Sequence, residues 1–133
     1  LGVVLIEQPF PADQDGPLTR RPGHVAICAD ESMHTRADVQ ALAKKYDAIN
    51  IKLDKAGGLT EGLRIMKEAK RCGMSTMVGC MVAGSISMAP AILLGQEADL
   101  IDLDGPLWLE KDVPHKLRYN DGIVSPPSRE LWG

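Results

Sequence analysis

The sequence places charged residues at a nearly fixed interval, each directly after a short apolar run. Glu7, Asp30 and Lys52 are separated by steps of 23 and 22 residues, and Asp102 follows after a further 50, with another strand-like run, 75–79, in between. One strand, one helix and two loops occupy roughly twenty-odd residues, so the interval predicts a repeated β/α unit with a parallel sheet. Charged groups at the carboxyl ends of successive parallel strands point into one mouth, which in a (β/α) barrel holds the active site.

Apolar patterning between these positions predicts the individual elements. The predicted strands are 3–8, 25–29, 48–53, 75–79 and 98–103. The predicted helices are a weak one over 13–21, one that follows a capping box at 35–38, and two over 59–72 and 85–95. The chain after Gly105-Pro106 has weak signals, and the Pro-rich end at Pro126-Pro127 is expected to be irregular. A complete barrel needs roughly 250 residues, so this chain of 133 residues is expected to have an α/β fold that forms a partial (β/α) TIM-type barrel.

Composition argues against several classes of function. The net charge is −3, the sequence pI is near 5.6 and no basic block stands out, so nucleic acid is not an expected partner. No segment approaches the ~20 apolar residues of a membrane span, so no membrane partner is expected either. The three cysteines, Cys28, Cys72 and Cys80, lack the spacing of a metal site and are predicted to be reduced thiols of a cytoplasmic protein.

The acidic residues Glu7 and Asp30 predict a metal site, because two carboxylates at adjacent strand ends repel each other unless a cation joins them. Mg²⁺ suits the position, since it prefers oxygen ligands and often takes only a few carboxylates plus waters and substrate. Lys52 lies one strand further on, where a nearby cation and partial desolvation would lower its pKa and make it a general base. A metal with a lysine suits removal of a proton α to a carboxylate, because the metal stabilises the resulting enolate.

Four motifs in this order and spacing resemble the enolase superfamily. They are Ile6-Glu7-Gln8-Pro9, Ala29-Asp30-Glu31-Ser32, the segment 50–61 that begins Asn50-Ile51-Lys52, and Asp102-Leu103-Asp104-Gly105-Pro106. They are most similar to the muconate-lactonizing subgroup, and the Asp-Leu-Asp pattern is similar to its dipeptide epimerases. The resemblance covers residues 1–106 and implies that this chain holds about strands four to eight of the barrel, as the C-terminal part of a catalytic domain.

The resemblance also implies a role for each motif residue. The implied roles are Mg²⁺ binding by Glu7 and Asp30, acid/base catalysis by Lys52, substrate binding by Asp102 and Asp104, and support of the metal ligands from behind by Glu31 and Asn50. The implied reaction interconverts dipeptides of the L-Ala-L-Glu and L-Ala-D-Glu type. Lys52 would take the α-proton from one face, and a second lysine would return a proton to the other. Asp102 and Asp104 would bind the dipeptide's free ammonium group.

Several parts of the family pattern do not occur in these 133 residues. They are a capping domain, the first three strands, a Lys-x-Lys motif with the opposite-face base, and a third metal carboxylate. We therefore expect the chain alone to be inactive and the function to belong to a longer parent protein. Other activities of the subgroup stay open, namely muconate cycloisomerase, o-succinylbenzoate synthase and N-acylamino-acid racemase, as does a non-catalytic half-barrel. Such barrels often self-associate, which leaves a homo-oligomer open as well.

Structural interpretations compete with some of these roles. Lys52 could be only an ion-pair partner at the barrel rim, and Lys55 is expected to be a charge at the surface or the barrel rim. Glu31 could cap a helix, and Asn50 could make a hydrogen bond that only ends its strand. Asp102 and Asp104 could fix the turn at Gly105-Pro106.

Overall fold

Five parallel strands form the centre of the fold in the computed structural model, which describes residues 1–19, 23 and 25–133. The strands are β1 (Leu5–Glu7), β2 (Ala26–Ala29), β3 (Ala48–Lys52), β4 (Ser75–Gly79) and β5 (Leu100–Ile101). Each strand pairs in parallel with the next one in sequence, in the order β1-β2-β3-β4-β5. The five strands make a half-barrel, which confirms the predicted partial (β/α) barrel.

Helices connect the strands and cover their outer side. The α-helices are α1 (Val39–Leu42), α2 (Leu53–Ala56), α3 (Leu59–Arg71), α4 (Ser85–Gly95) and α5 (Arg129–Trp132), with 3-10 turns at Arg36–Asp38 and Gly105–Trp108. The helices predicted over 59–72 and 85–95 are confirmed, and the capping box at Thr35 and Asp38 is present, although α1 after it is only four residues long. Residues 13–19 form turns where a weak helix was predicted, and residues 20 and 21 lie outside the described part.

The segment after Gly105 is more regular than the sequence suggested. A two-stranded antiparallel hairpin pairs β6 (Tyr119–Asn120) with β7 (Ile123–Val124), and α5 follows it. Residues 125–128, which include Pro126-Pro127, belong to no helix or strand, as expected for the Pro-rich end. The hairpin has its own local signal, because Asp121 and Gly122 both have positive φ, of 47° and 78°, as a two-residue Asp-Gly turn requires.

The outer face of the sheet packs against the helices and forms the main core. Ile49, Ile51 and Val78 from the strands lie in one buried cluster with Ile65 and Met66 of α3. All five side chains are at most 2% exposed. The alternation of side chains along a strand therefore leaves every second residue for the opposite, inner face.

The inner face of the sheet carries the candidate functional residues. A second, smaller apolar cluster on this face consists of Cys28, Ala48 and Met77, with Leu5 packed against it. Because side chains alternate, Glu7, Asp30 and Asn50, each two positions after a member of that cluster, also lie on the inner face. Glu7 and Asp30 come at the carboxyl ends of their strands, and Asn50 lies in the middle of β3. The fold thus brings the polar strand-end residues to one edge of the half-barrel.

Two expectations from composition can also be compared with the structure. The three cysteines are free, with Cys28 buried and the other two half-buried, as predicted for reduced thiols. Among the residues that the structure describes, no helix has the length and apolar character needed to cross a bilayer.

Candidate active site

The carboxyl ends of the strands surround a small polar cavity of about 310 Å³. Its lining consists of Glu7, Gln8, Asp30, Glu31, Asn50, Lys52, Cys80 and Asp102. Four of these residues are the charged residues whose spacing predicted a shared mouth. The cavity therefore unites side chains that lie up to 95 positions apart in the sequence.

Asp30 lies between two lysines. Lys52 Nζ is 2.6 Å from Asp30 Oδ2, and Lys55 Nζ contacts Oδ1 of the same carboxylate. Burial raises the pKa of Asp30, but the hydrogen bonds and charges of both lysines outweigh it, so the pKa lies below its ordinary value. Of the two positions expected for Lys55, the surface and the barrel rim, the surface was wrong, because its side chain is only 13% exposed. The single turn of α2 brings Lys55 back to the side of Lys52 at i+3.

The protonation of Lys52 also differs from the sequence-based expectation. Burial alone would lower the pKa of Lys52. The hydrogen bond from Lys52 to Asp30 and the charges of Asp30 and Glu7 outweigh burial, so the pKa lies above its ordinary value. The expected lowering assumed a cation as the nearest neighbour, whereas a carboxylate occupies that position here. The ammonium form is therefore favoured while Asp30 is its partner.

Glu7 is held by Asn50. The Asn50 side chain is 1% exposed, and its Nδ2 donates a hydrogen bond of 2.7 Å to Glu7 Oε1. Burial and the neighbouring charge of Asp30 raise the pKa of Glu7, and the hydrogen bond from Asn50 lowers it. The pKa of Glu7 is raised overall. Glu31 is exposed at the edge of the cavity, and its charge is among those that raise the pKa of Lys52.

Gln8 is a site residue that the sequence analysis did not identify. It has a positive φ of 36°, and its Oε1 accepts hydrogen bonds from the backbone N–H groups of Asp30, at 2.8 Å, and Ser32, at 3.2 Å. Its Nε2 donates to the carbonyl of Phe10 and to the hydroxyl of the buried Tyr46. Gln8 thereby ties the end of β1 to the loop that carries Asp30. In the sequence, only its position directly after Glu7 indicated that Gln8 could belong to the site.

The two aspartates of the Asp-Leu-Asp motif differ in the cavities that they line. Asp102 lines both the polar cavity and the larger cavity beside it, and burial followed by the charge of Asp104 raises its pKa. Asp104 lines a neighbouring cavity of about 720 Å³ beside the β6–β7 hairpin, and its carboxylate accepts a 3.3 Å hydrogen bond from the indole N–H of Trp108. Strand β5 ends at Ile101, so the regular alternation that would place both carboxylates on one face does not extend to Asp104.

The donors at this site fit Mg²⁺ in their chemistry. In residues 1–19, 23 and 25–133, no group of three or more acidic, histidine or cysteine side chains is arranged to hold a metal ion. Glu7 and Asp30 nevertheless supply hard carboxylate oxygens, close enough that the charge of Asp30 affects the pKa of Glu7. Mg²⁺ is commonly bound by one or two protein carboxylates, with waters and substrate completing its shell.

Comparison with known proteins identifies similar sequences. Residues 1–130 match the family described as Enolase C-terminal domain-like. The N-acetyl-D-glutamate racemase of Pseudoalteromonas sp. is 48% identical over 133 residues, which are 100% of this chain and 42% of that protein. The L-Ala-D/L-Glu epimerase of Escherichia coli strain K12 is 46% identical over 122 residues, 92% of this chain and 38% of that protein. The chain therefore spans less than half the length of the curated relatives it matches.

A solved structure is similar over nearly the whole chain. It is the crystal structure of an enolase family member from Agrobacterium tumefaciens with homology to dipeptide epimerases, and it contains bound sodium and L-Ala-L-Glu. The sequence identity is 53%, and the TM-score is 0.92. The match covers 97% of this chain and 40% of that chain.

Proposed function

The chain belongs to the enolase C-terminal domain-like family, and we propose that the full-length protein containing it is a Mg²⁺-dependent epimerase of dipeptides of the L-Ala-L-Glu and L-Ala-D-Glu type. Residues 1–133 would form the C-terminal part of its catalytic barrel. The observation that carries the proposal is the convergence of Glu7, Asp30, Lys52 and Asp102 on one cavity. The named activities of the curated relatives support the reaction class, which is inversion of a carbon next to a carboxylate.

Lys52 is the group that would move the proton. As the free amine, Nζ would accept the α-proton while the electron pair of the C–H bond moves toward the substrate carboxylate. The ion pair with Asp30 holds Nζ at the cavity, 2.6 Å from Oδ2, in its ammonium form. Binding of Asp30 to a cation would weaken this pairing and favour the free amine that the step requires. Bound by Glu7 and Asp30, Mg²⁺ would hold the substrate carboxylate and stabilise the negative charge that develops on it. A proton donor on the opposite face would come from the rest of the protein and would return a proton to the α-carbon.

Asp102 is the residue that favours a dipeptide substrate. Its carboxyl group is partly buried, and the charge of Asp104, which raises its pKa, outweighs that of Lys52, which lowers it. A cationic group of the ligand would relieve this arrangement through a charge-assisted hydrogen bond. The free ammonium group of a dipeptide supplies that cation. The negative charge of Asp104, at the neighbouring cavity, would also attract this ammonium group.

Racemisation of an N-acylated amino acid is the second candidate. The 48% identity to an N-acetyl-D-glutamate racemase favours it. Such a substrate has the same α-carbon and carboxylate but no ammonium group, so the site around Lys52 would serve both reactions. The two candidates differ in what they require of Asp102.

Proton NMR in D₂O on the full-length protein with Mg²⁺ tests the proposal. With L-Ala-L-Glu, we expect the glutamate α-proton signal to disappear and the L,D diastereomer to form. Asp102→Asn should lower this activity by about 10- to 100-fold, because a hydrogen bond to a charged group is lost. Exposed Asp13 gives the matched control Asp13→Asn, which should behave as wild type.

The same experiment with N-acetylglutamate separates the two candidates. Turnover of N-acetylglutamate with no turnover of the dipeptide would replace the epimerase by the racemase. Equal dipeptide activity in wild type and Asp102→Asn would remove the role assigned to Asp102.

A further inference from the structure

Gly79, the last residue of β4, faces the inner side of the sheet beside Asn50. In the pairing of β3 with β4, Asn50 lies opposite Met77 and Lys52 lies opposite Gly79. A Cβ added to Gly79 would lie 2.5 Å from both Nδ2 and Oδ1 of Asn50 and 2.9 Å from its Cγ. These distances are shorter than nonbonded atoms allow. The Asn50 amide therefore occupies the space that any side chain at position 79 would need.

The requirement for glycine at this position comes from space and not from backbone conformation. The glycines with positive φ in the described residues are Gly2, Gly23, Gly57, Gly58, Gly73 and Gly122, and Gly79 is not among them. An alanine could thus adopt the backbone conformation of Gly79 without strain. The three heavy atoms nearest to its Cβ would all belong to the amide of Asn50.

Few other contacts hold the Asn50 amide in place. Its Nδ2 donates to Glu7 Oε1, while Oδ1 is buried without a hydrogen-bond partner among the residues that the structure describes. The side chain is short and 1% exposed, so it cannot move aside as a long surface side chain could. A Cβ at position 79 would have to displace the amide and break its bond to Glu7.

We propose that Gly79 is a positioning residue of the metal site, because it leaves the space in which Asn50 holds the Glu7 carboxylate toward the cation. This inference rests on the proposed function, in which Glu7 is a metal ligand. Partners that orient a metal ligand commonly change metal affinity by about 10- to 100-fold when they are lost. Gly79 acts through Asn50, so the effects of changing the two residues should not be independent.

Isothermal titration of Mg²⁺ into the full-length protein tests this dependence. We expect Gly79→Ala and Asn50→Ala each to weaken Mg²⁺ binding by about 10- to 100-fold. The double variant should bind within about twofold of Asn50→Ala alone, because the new Cβ then enters vacated space. Gly95→Ala is the matched control, since a Cβ there meets only the side chain of Ile101, at 3.1 Å, and it should bind as wild type.

Two outcomes of the titration would overturn the inference. The first is wild-type Mg²⁺ affinity in Gly79→Ala. The second is a loss of Mg²⁺ affinity in the double variant that equals the product of the losses in the two single variants. If Gly79→Ala does not fold, recovery of folding in the double variant supports the inference and continued misfolding overturns it.

A crystal structure of Gly79→Ala provides a readout that does not depend on metal binding. Displacement of the Asn50 amide from Glu7 is expected, and an amide still bonded to Glu7 would contradict the inference. Failure of the wild-type protein to bind Mg²⁺ would instead refute the proposed metal site, and the crystal structure would still decide the role of Gly79.

Discussion

At the scale of single residues, Asp30 is held through both its carboxylate and its backbone. Lys52 and Lys55 contact the two carboxylate oxygens, and Gln8 accepts a hydrogen bond from the Asp30 backbone N–H. The carboxylate is thus oriented before any ligand arrives, which reduces the reorganisation needed for binding. Gln8 is the link that can be removed without changing a charge.

Gln8→Leu should weaken both folding and metal binding. The substitution leaves the backbone N–H groups of Asp30 and Ser32 without their acceptor, which should lower the free energy of unfolding by about 1–3 kcal/mol. Loss of orientation at Asp30 should weaken Mg²⁺ binding by about tenfold. Chemical denaturation and calorimetric titration of the full-length protein measure the two effects, with the exposed Gln14 changed to Leu as control. Unchanged Mg²⁺ affinity in Gln8→Leu would show that the backbone contact does not orient the carboxylate.

The charged residues of the cavity could be predicted from the sequence because backbone geometry alone fixes where parallel strands end. The shared location of Glu7, Asp30 and Lys52 therefore follows from the backbone, without knowledge of any side-chain contact. The burial of Lys55 depends on a one-turn helix that starts directly after β3, and the apolar pattern does not show such a turn. The roles of Gln8 and Gly79 depend on side-chain contacts between neighbouring strands, which a single sequence does not encode in its spacing.

At the scale of elements, helix α4 begins at a carboxylate from a distant loop. Asp112 accepts hydrogen bonds from the backbone N–H of Ser85, at 3.1 Å, and from its hydroxyl, at 2.5 Å. The N-cap residue, Gly84, has no side chain to do this, and a Cβ there would lie 2.8 Å from Asp112 Oδ1. Burial raises the pKa of Asp112, but the hydrogen bonds from Ser85 and Val113 outweigh it and lower the pKa overall.

Asp112→Ala should destabilise the protein by about 1–2 kcal/mol, as the loss of a helix cap does. The same contact predicts a pH dependence. Because the pKa of Asp112 is lower in the folded state, its contribution is present above the unfolded value, about 3.9, and is lost as pH falls through the folded pKa. Thermal unfolding from pH 6 down to pH 3 should therefore show a smaller fall in Tm for Asp112→Asn than for wild type. Parallel curves for the two proteins would contradict this account.

The match between predicted and observed elements depends on their length. Helix α4 and strand β4 have the predicted bounds, because eleven and five residues are enough to show a pattern. Strands β6 and β7 have two residues each, too short for any alternation to be visible. Their signal was the Asp121-Gly122 turn, whose chemistry depends on two positions and not on a period.

At the scale of the whole molecule, the half-barrel has two strands that pair on one side only within the described residues, β1 and β5. Large apolar side chains near them are exposed, with Val4 at 75% and Ile101 at 51%. Val82 and Trp108, near the carboxyl ends of β4 and β5, are exposed at 70% and 74%. Parallel sheets are normally covered on both faces and paired at their edges, so this surface is suited to contact with further protein.

We expect the 133-residue chain, expressed alone, to self-associate and to bind a hydrophobic dye. The physical reason is the unpaired edge strands and exposed apolar side chains just described. Size-exclusion chromatography and dye fluorescence measure both properties, and co-expression with the rest of the parent protein is the control that should suppress them. A monomeric chain with a cooperative thermal transition would instead support the alternative of an autonomous, non-catalytic half-barrel.

The central claim is that Lys52 is the base on one face of the substrate α-carbon. Solvent deuterium exchange, followed by NMR for L-Ala-L-Glu and L-Ala-D-Glu separately, tests it most directly in the full-length Lys52→Ala variant. Interconversion of the two dipeptides should fall by roughly 10²- to 10⁴-fold. The α-proton should still exchange in only one of them, through the base on the other face, while exposed Lys44 changed to Ala should leave both rates intact. Wild-type interconversion in Lys52→Ala, or equal exchange in both dipeptides, would contradict the claim.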